Sequence, residues 1–115
     1  MVIERVAQRL PARKPALVLH EARLQLRTPD GLMVALTPKE GLFLKSLSQS
    51  DTLTLSRAAL EKRLWQSDDE AISRRMEVMV SRLRQKLAQA GLEELIKTDW
   101  RVGYRLTQAL FVQSE

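Results

Sequence analysis

Between Ile72 and Ala90 apolar residues return every three or four positions. Wound at about 100° per residue, Ile72, Met76, Met79, Val80, Leu83, Leu87 and Ala90 fall in one sector, the pattern of a helix with one buried stripe. The opposite side carries Arg74, Val78, Ser81 and Gln85, with Arg75, Arg82 and Lys86 along one flank and Glu77, Arg84 and Ala88 along the other. The helix is predicted to start between Glu70 and Arg74 and to stop before Gly91, a natural C-terminal cap.

Two shorter helices are predicted upstream. Thr37-Pro38-Lys39-Glu40 forms a capping box with proline at the first helical position, followed by Phe43, Leu44 and Leu47 at helical spacing. Ser56 caps the next, whose inward stripe is Ala59, Leu60, Leu64 and Trp65, and Leu55 is placed to staple against Leu60. Gln66, Ser67, Asp68 and Asp69 form a polar loop before the third helix. Elsewhere the period falls to two. Leu24 and Leu26 alternate with Gln25 and Arg27, Thr28–Gly31 is turn chemistry, and Leu32–Leu36 returns, which predicts a small antiparallel sheet within 16–36. At the far end "LIKT" and "GYRL" read as a hairpin whose tip is Asp99, Trp100, Arg101 and Val102. The expected organisation is a lead-in over 1–15, one α+β domain over 16–107 and a C-terminal tail over 108–115.

Composition changes this picture in two ways. The chain of 115 residues carries 19 Lys and Arg against 14 Asp and Glu, a formal charge of +5, which favours an acidic partner. It has no cysteine and a single histidine, His20, in a predicted strand or its turn. Disulfides, thiolate metal sites and thiol nucleophiles are therefore excluded. Asp68, Asp69 and Glu70 cluster before a helix, where acids favour the positive end of the dipole. No phosphate-cradling glycine loop or nucleophile motif is present. The expectation is no catalysis, no cofactor, no metal, no small-molecule substrate and no membrane contact, in a cytoplasmic protein.

Two helices joined by a polar loop, the second basic-backed, are what a helix-turn-helix requires. The third helix offers cations at its edges for phosphates and short side chains along its crest for bases, with Val78 suited to a thymine methyl. The hairpin tip would lie near the neighbouring minor groove or backbone. A solvated back on a core helix is the plainer reading of the same residues. A module that contacts another regulator or RNA polymerase without reading DNA is the functional alternative. One positive face joining Arg74, Arg82, Arg84 and Arg101 would separate them.

Four segments in order, "LTPKEGLFLKSL", "LSRAALEKRLW", "RRMEVMVSRLRQKL" and "GYRL", carry a family resemblance. From about Leu17 to Leu106 the chain resembles the winged-helix effector domain of bacterial response regulators typified by the porin and phosphate-regulon regulators. The resemblance implies a winged helix-turn-helix, with an N-terminal antiparallel sheet, a three-helix core and a C-terminal hairpin wing. It implies sequence-specific binding of double-stranded DNA, third helix in the major groove and wing near the minor groove. By position, Arg74 matches a phosphate contact, Val78 a thymine contact, Arg82 a base contact and Thr98 a wing-base contact. Arg75, Ser81 and Arg84 are further DNA candidates, and Gln66, Ser67, Asp68 and Asp69 match a polymerase-contact loop. Pairing of two copies on adjacent half-sites is also implied. Trp100 and Arg101 depart from the arginine and glycine of better-known wings, and Ser81 replaces an arginine found in some members. A receiver domain precedes this unit in such regulators, so the chain is either a piece of one or a stand-alone relative.

Overall fold

The computed structural model describes residues 16–66 and 70–114. The lead-in over 1–15 and loop residues Ser67, Asp68 and Asp69 lie outside them. The elements run β1 Leu17–His20, β2 Gln25–Arg27, β3 Met33–Ala35, α1 Pro38–Ser48, β4 Thr54–Ser56, α2 Arg57–Trp65, α3 Glu70–Gln89, β5 Ile96–Asp99, β6 Gly103–Leu106 and β7 Leu110–Gln113.

The helix signals act as expected. Thr37 Oγ1 accepts from the Glu40 N–H at 3.2 Å, and Glu40 Oε1 accepts from the Thr37 N–H at 2.9 Å, so two otherwise orphaned donors are satisfied. Ser56 Oγ accepts from the Ala59 N–H at 3.1 Å. α3 is stopped by Gly91 at φ +80°, with Leu92 N–H bonded to Leu87 O at 2.8 Å and Gly91 N–H to Ala88 O at 3.1 Å. That pair of bonds closes the last turn and needs the left-handed conformation that glycine supplies at low cost.

The sheets are richer than the period-two pattern. One has four strands in the order β3-β2-β1-β7, antiparallel except for the parallel pair β1/β7. The residues expected as a tail, 108–115, thus contribute a strand, with Leu17 opposite Leu110 and His20 opposite Gln113. The cause lies in β1: Leu17, Val18 and Leu19 are all buried, and such a strand needs a partner on both edges. Leu24, expected within a strand, instead turns the chain into β2 at φ +54°. The second sheet has the order β4-β6-β5. Its hairpin is the expected one, and β4, which was not expected, is a three-residue strand laid along it just before α2.

The core draws on both sheets and all three helices. Phe43 of α1 is fully buried and meets Tyr104 of β6 edge-on, ring centroids 5.6 Å apart. Met76, Val80, Leu83 and Leu87 seat α3 against this core, with Met79 and Ala90 half-buried beside them. The buried Glu40 carboxylate accepts from Lys86 Nζ at 2.7 Å, and the same ammonium donates to Ala35 O at 3.0 Å. Lys86, expected along the outer flank of α3, is held inward because a buried carboxylate without a partner is costly.

β4 and β6 approach so closely at Gly103 that an added Cβ would sit 2.4 Å from Leu55 O and 2.7 Å from Arg57 N. Both obstacles are backbone, so Gly103→Ala should prise the strands apart. We expect a loss of about 2–4 kcal/mol in urea unfolding, by analogy with overpacked cores.

Candidate nucleic-acid interface

Because α3 buries Ile72, Met76, Val80, Leu83 and Leu87, its other side is fixed outward. Arg74, Arg75, Val78, Ser81, Arg82 and Gln85 are exposed along it, and Val78, at 44% exposure, is the apolar member. Among the described residues Arg74, Arg75 and Arg82 form no ion pair and no side-chain hydrogen bond.

Neighbouring charges are engaged within the molecule. Glu77, on one flank of α3, meets Arg57 Nη2 at 3.0 Å. Arg57 also donates to Ser73 O at 2.8 Å, to Ser73 Oγ at 3.1 Å and to Glu61 Oε2 at 3.3 Å, joining the start of α2 to the first half of α3. Partial burial works against its charge, yet the hydrogen bonds to Glu77 and Glu61, helped by the surrounding negative charges, hold its pKa above the ordinary arginine value. Sequence reasoning missed this residue. Its only local signal was the Arg57/Glu61 spacing on one helix face. Lys39 is likewise occupied: its ammonium donates to Leu64 O at the end of α2 and lies 5.5 Å from the centroid of the half-buried Trp65.

Arg84 departs from expectation. Its Nη2 donates to Thr98 Oγ1 at 2.8 Å, its guanidinium bonds Ile96 O at 3.4 Å, and it lies 6.0 Å from the Tyr104 ring centroid. Arg84 and Thr98, both expected to face DNA, are thereby engaged with each other across the joint between α3 and the wing. The face expected to join Arg74, Arg82, Arg84 and Arg101 loses Arg84 as a free cation. Burial pushes the Tyr104 phenol above its usual range, while Arg57 and Arg84 pull the other way.

A cleft of about 620 Å³ separates α3 from the wing, lined in part by Ser81, Gln85, Thr98 and Trp100. At the tip, Val102 N–H donates to Asp99 O at 3.0 Å and Arg101 N–H to Asp99 Oδ1 at 3.2 Å. Trp100 is 90% exposed, so it does not pack on its own hairpin, and Arg101 is exposed beside it. A second hollow of about 700 Å³ opens on the other side of Val78, lined by Lys39, Trp65, Arg74, Arg75 and Arg82. Of the expected loop Gln66–Asp69, Gln66 lies within the described residues and ends α2 in the left-handed conformation at φ +60°. Among the described residues no group of three or more His, Cys, Asp or Glu is arranged to hold a metal ion, and no helix is long and apolar enough to cross a membrane.

A helix-turn-helix with a hairpin beside its second helix, presenting exposed cations on the outer face, defines a winged-helix regulator domain. Residues 31–106 match the family model described as "Transcriptional regulatory protein, C terminal", and the chain belongs to that family. It is 38% identical over 80 residues to the transcriptional regulatory protein ResD of Bacillus subtilis (strain 168), a match covering 68% of this chain and 33% of that protein. The chain thus spans about a third of the length of that relative. Its fold is similar to the crystal structure of the DNA binding domain of CpxR from E. coli, with a TM-score of 0.63 and 26% identity, covering 90% of this chain and 97% of that one.

The Arg84–Thr98 contact can be weighed directly. A double-mutant cycle of Arg84→Ala and Thr98→Val, read by urea unfolding, should give a coupling of about 0.5–1.5 kcal/mol. Strictly additive losses would mean that the bond contributes nothing to joining helix and wing.

Proposed function

We propose that this domain binds double-stranded DNA sequence-specifically as the effector part of a bacterial transcriptional regulator, with α3 in the major groove and the wing near the minor groove. One observation carries this reading. Lys39, Arg57, Arg84 and Lys86 are all engaged inside the molecule, whereas Arg74, Arg75 and Arg82, exposed around Val78 and Ser81, have no ion pair or side-chain hydrogen bond among the described residues. Three free cations beside short crest side chains suit a groove between two phosphate walls. The similarity to the DNA binding domain of CpxR supports the same reading.

Within it, Arg74 and Arg75 contact phosphates, Val78 meets a thymine methyl, and Ser81 and Arg82 meet base edges. Trp100 and Arg101 address the flanking minor groove. Arg84 and Thr98 set the angle between helix and wing rather than reading bases. The loop Gln66–Asp69 is the surface offered to RNA polymerase, and two copies bind adjacent half-sites about one helical turn apart.

Binding sites selected from random duplex DNA, followed by titration of variants, test the assignment. Arg82→Ala should relax base preference at one position by about 1–3 kcal/mol. Arg74→Ala should weaken all duplexes alike and lower the salt slope by about one. Equal binding of the unmodified chain to every sequence at every salt concentration would contradict both.

A further inference from the structure

We propose that Trp100 is an apolar wedge that enters the minor groove beside the α3 site, so that the protein reads how easily a flanking base step deforms. This rests on the DNA-binding reading above and adds a second mode of sequence recognition to it.

Among the described residues no hydrogen bond or ring contact engages the Trp100 indole. At 90% exposure Trp100 is the most exposed of the large apolar side chains among the described residues, although tryptophan gains more from burial than almost any other residue. Its backbone is nonetheless firmly placed. The turn is closed by Val102 N–H to Asp99 O, Asp99 Oδ1 accepts from the Arg101 N–H, and β5 and β6 pair from Ile96/Leu106 up to Asp99/Gly103. β4 braces β6 from its other edge, and the Arg57 N–H reaches Val102 O at 3.3 Å. A rigid hairpin therefore holds a large flat side chain in water, with only two side-chain torsions left to fix on binding.

The surroundings select the partner. Exposed Arg101 and the half-exposed Val102 follow Trp100, while the Asp99 carboxylate turns back onto the backbone. The tip thus offers Arg101 as an outward cation beside an apolar plate, while Glu77, Glu93 and Asp99 are the acids of the adjoining cleft. Trp100 also lines the same cleft as Ser81 and Gln85 on the outer ridge of α3, so one continuous ligand spans both. A duplex seated on α3 presents there a phosphate wall for Arg101 and sugars and base edges for the indole. Apolar side chains that enter the minor groove partly unstack a base step and bend the duplex, and pyrimidine–purine steps yield most readily. The preference at the flank should therefore follow flexibility rather than a hydrogen-bonding pattern.

The chain has two tryptophans, so the indole N–H signals of the full ¹⁵N-labelled chain are few, and Trp100→Phe assigns the one at the tip. With a duplex selected from random sequences, the Trp100 signal should move upfield and exchange more slowly with water. Circularly permuted duplexes should show a bend. Trp100→Ala should abolish the bend and cut the preference for TA or CA over an A-tract at the flank by about tenfold, while Trp100→Phe keeps most of it. The base preference governed by Arg82 should survive both substitutions. If DNA leaves the Trp100 signal unmoved and Trp100→Ala alters neither bend nor flank preference, the wedge is overturned while the DNA reading stands. Protection of the indole at rising protein concentration without DNA would overturn it in favour of contact with a second copy. Failure of the unmodified chain to prefer any sequence would remove the underlying reading as well.

Discussion

The buried stripe of α3 is the constraint on which the other features depend. Met76, Val80, Leu83 and Leu87 are sunk among residues of both sheets and the other two helices. At about 1.5–3 kcal/mol for each fully buried side chain, rotating the helix by one residue would cost more than any surface ion pair returns. The outward direction of Arg74, Val78, Ser81 and Arg82 is therefore decided by apolar burial on the far side of the same helix. These outward residues can change without disturbing the stripe, which lets one scaffold hold many surfaces.

Electrostatics then divides the cations into two groups. Arg57 ties α2 to the first half of α3, Arg84 ties its second half to the wing, and Lys86 ties it to Glu40 and the end of β3. Each contact is partly solvent-exposed and individually modest, so together they adjust angles between elements that packing has already placed. Their second effect is on the surface. They neutralise Glu77 and Glu40 and leave the positive charge of α3 concentrated on Arg74, Arg75 and Arg82.

Much of this was legible along the chain. The capping box at Thr37, the cap at Ser56, the stripe of α3 and its stop at Gly91 are encoded within a few residues of where they act. β4 and β7 were not legible, because three or four residues set no period that a flanking loop could not also show. β7 exists because buried β1 needs a second partner, which is a fact about distant sequence. The occupied cations were hidden for the same reason. Lys86 is 46 residues from Glu40, Arg57 is 16 from Ser73, and Arg84 is 14 from Thr98. A helical wheel shows which flank such a residue occupies, and only the fold shows whether a partner waits there. Trp100 was visible as an anomaly, and its exposure came from the structure alone.

The central claim is that one side of α3 and the wing tip form a single DNA-binding surface, while the N-terminal sheet stays outside it. Backbone amide shifts of the ¹⁵N-labelled chain, followed as a selected duplex is titrated in at moderate salt, test this most directly. The largest changes should fall on Arg74, Arg75, Val78, Ser81, Arg82 and residues 99–102, with β1, β2 and β7 unmoved. Changes centred on the N-terminal sheet, with α3 silent, would contradict it.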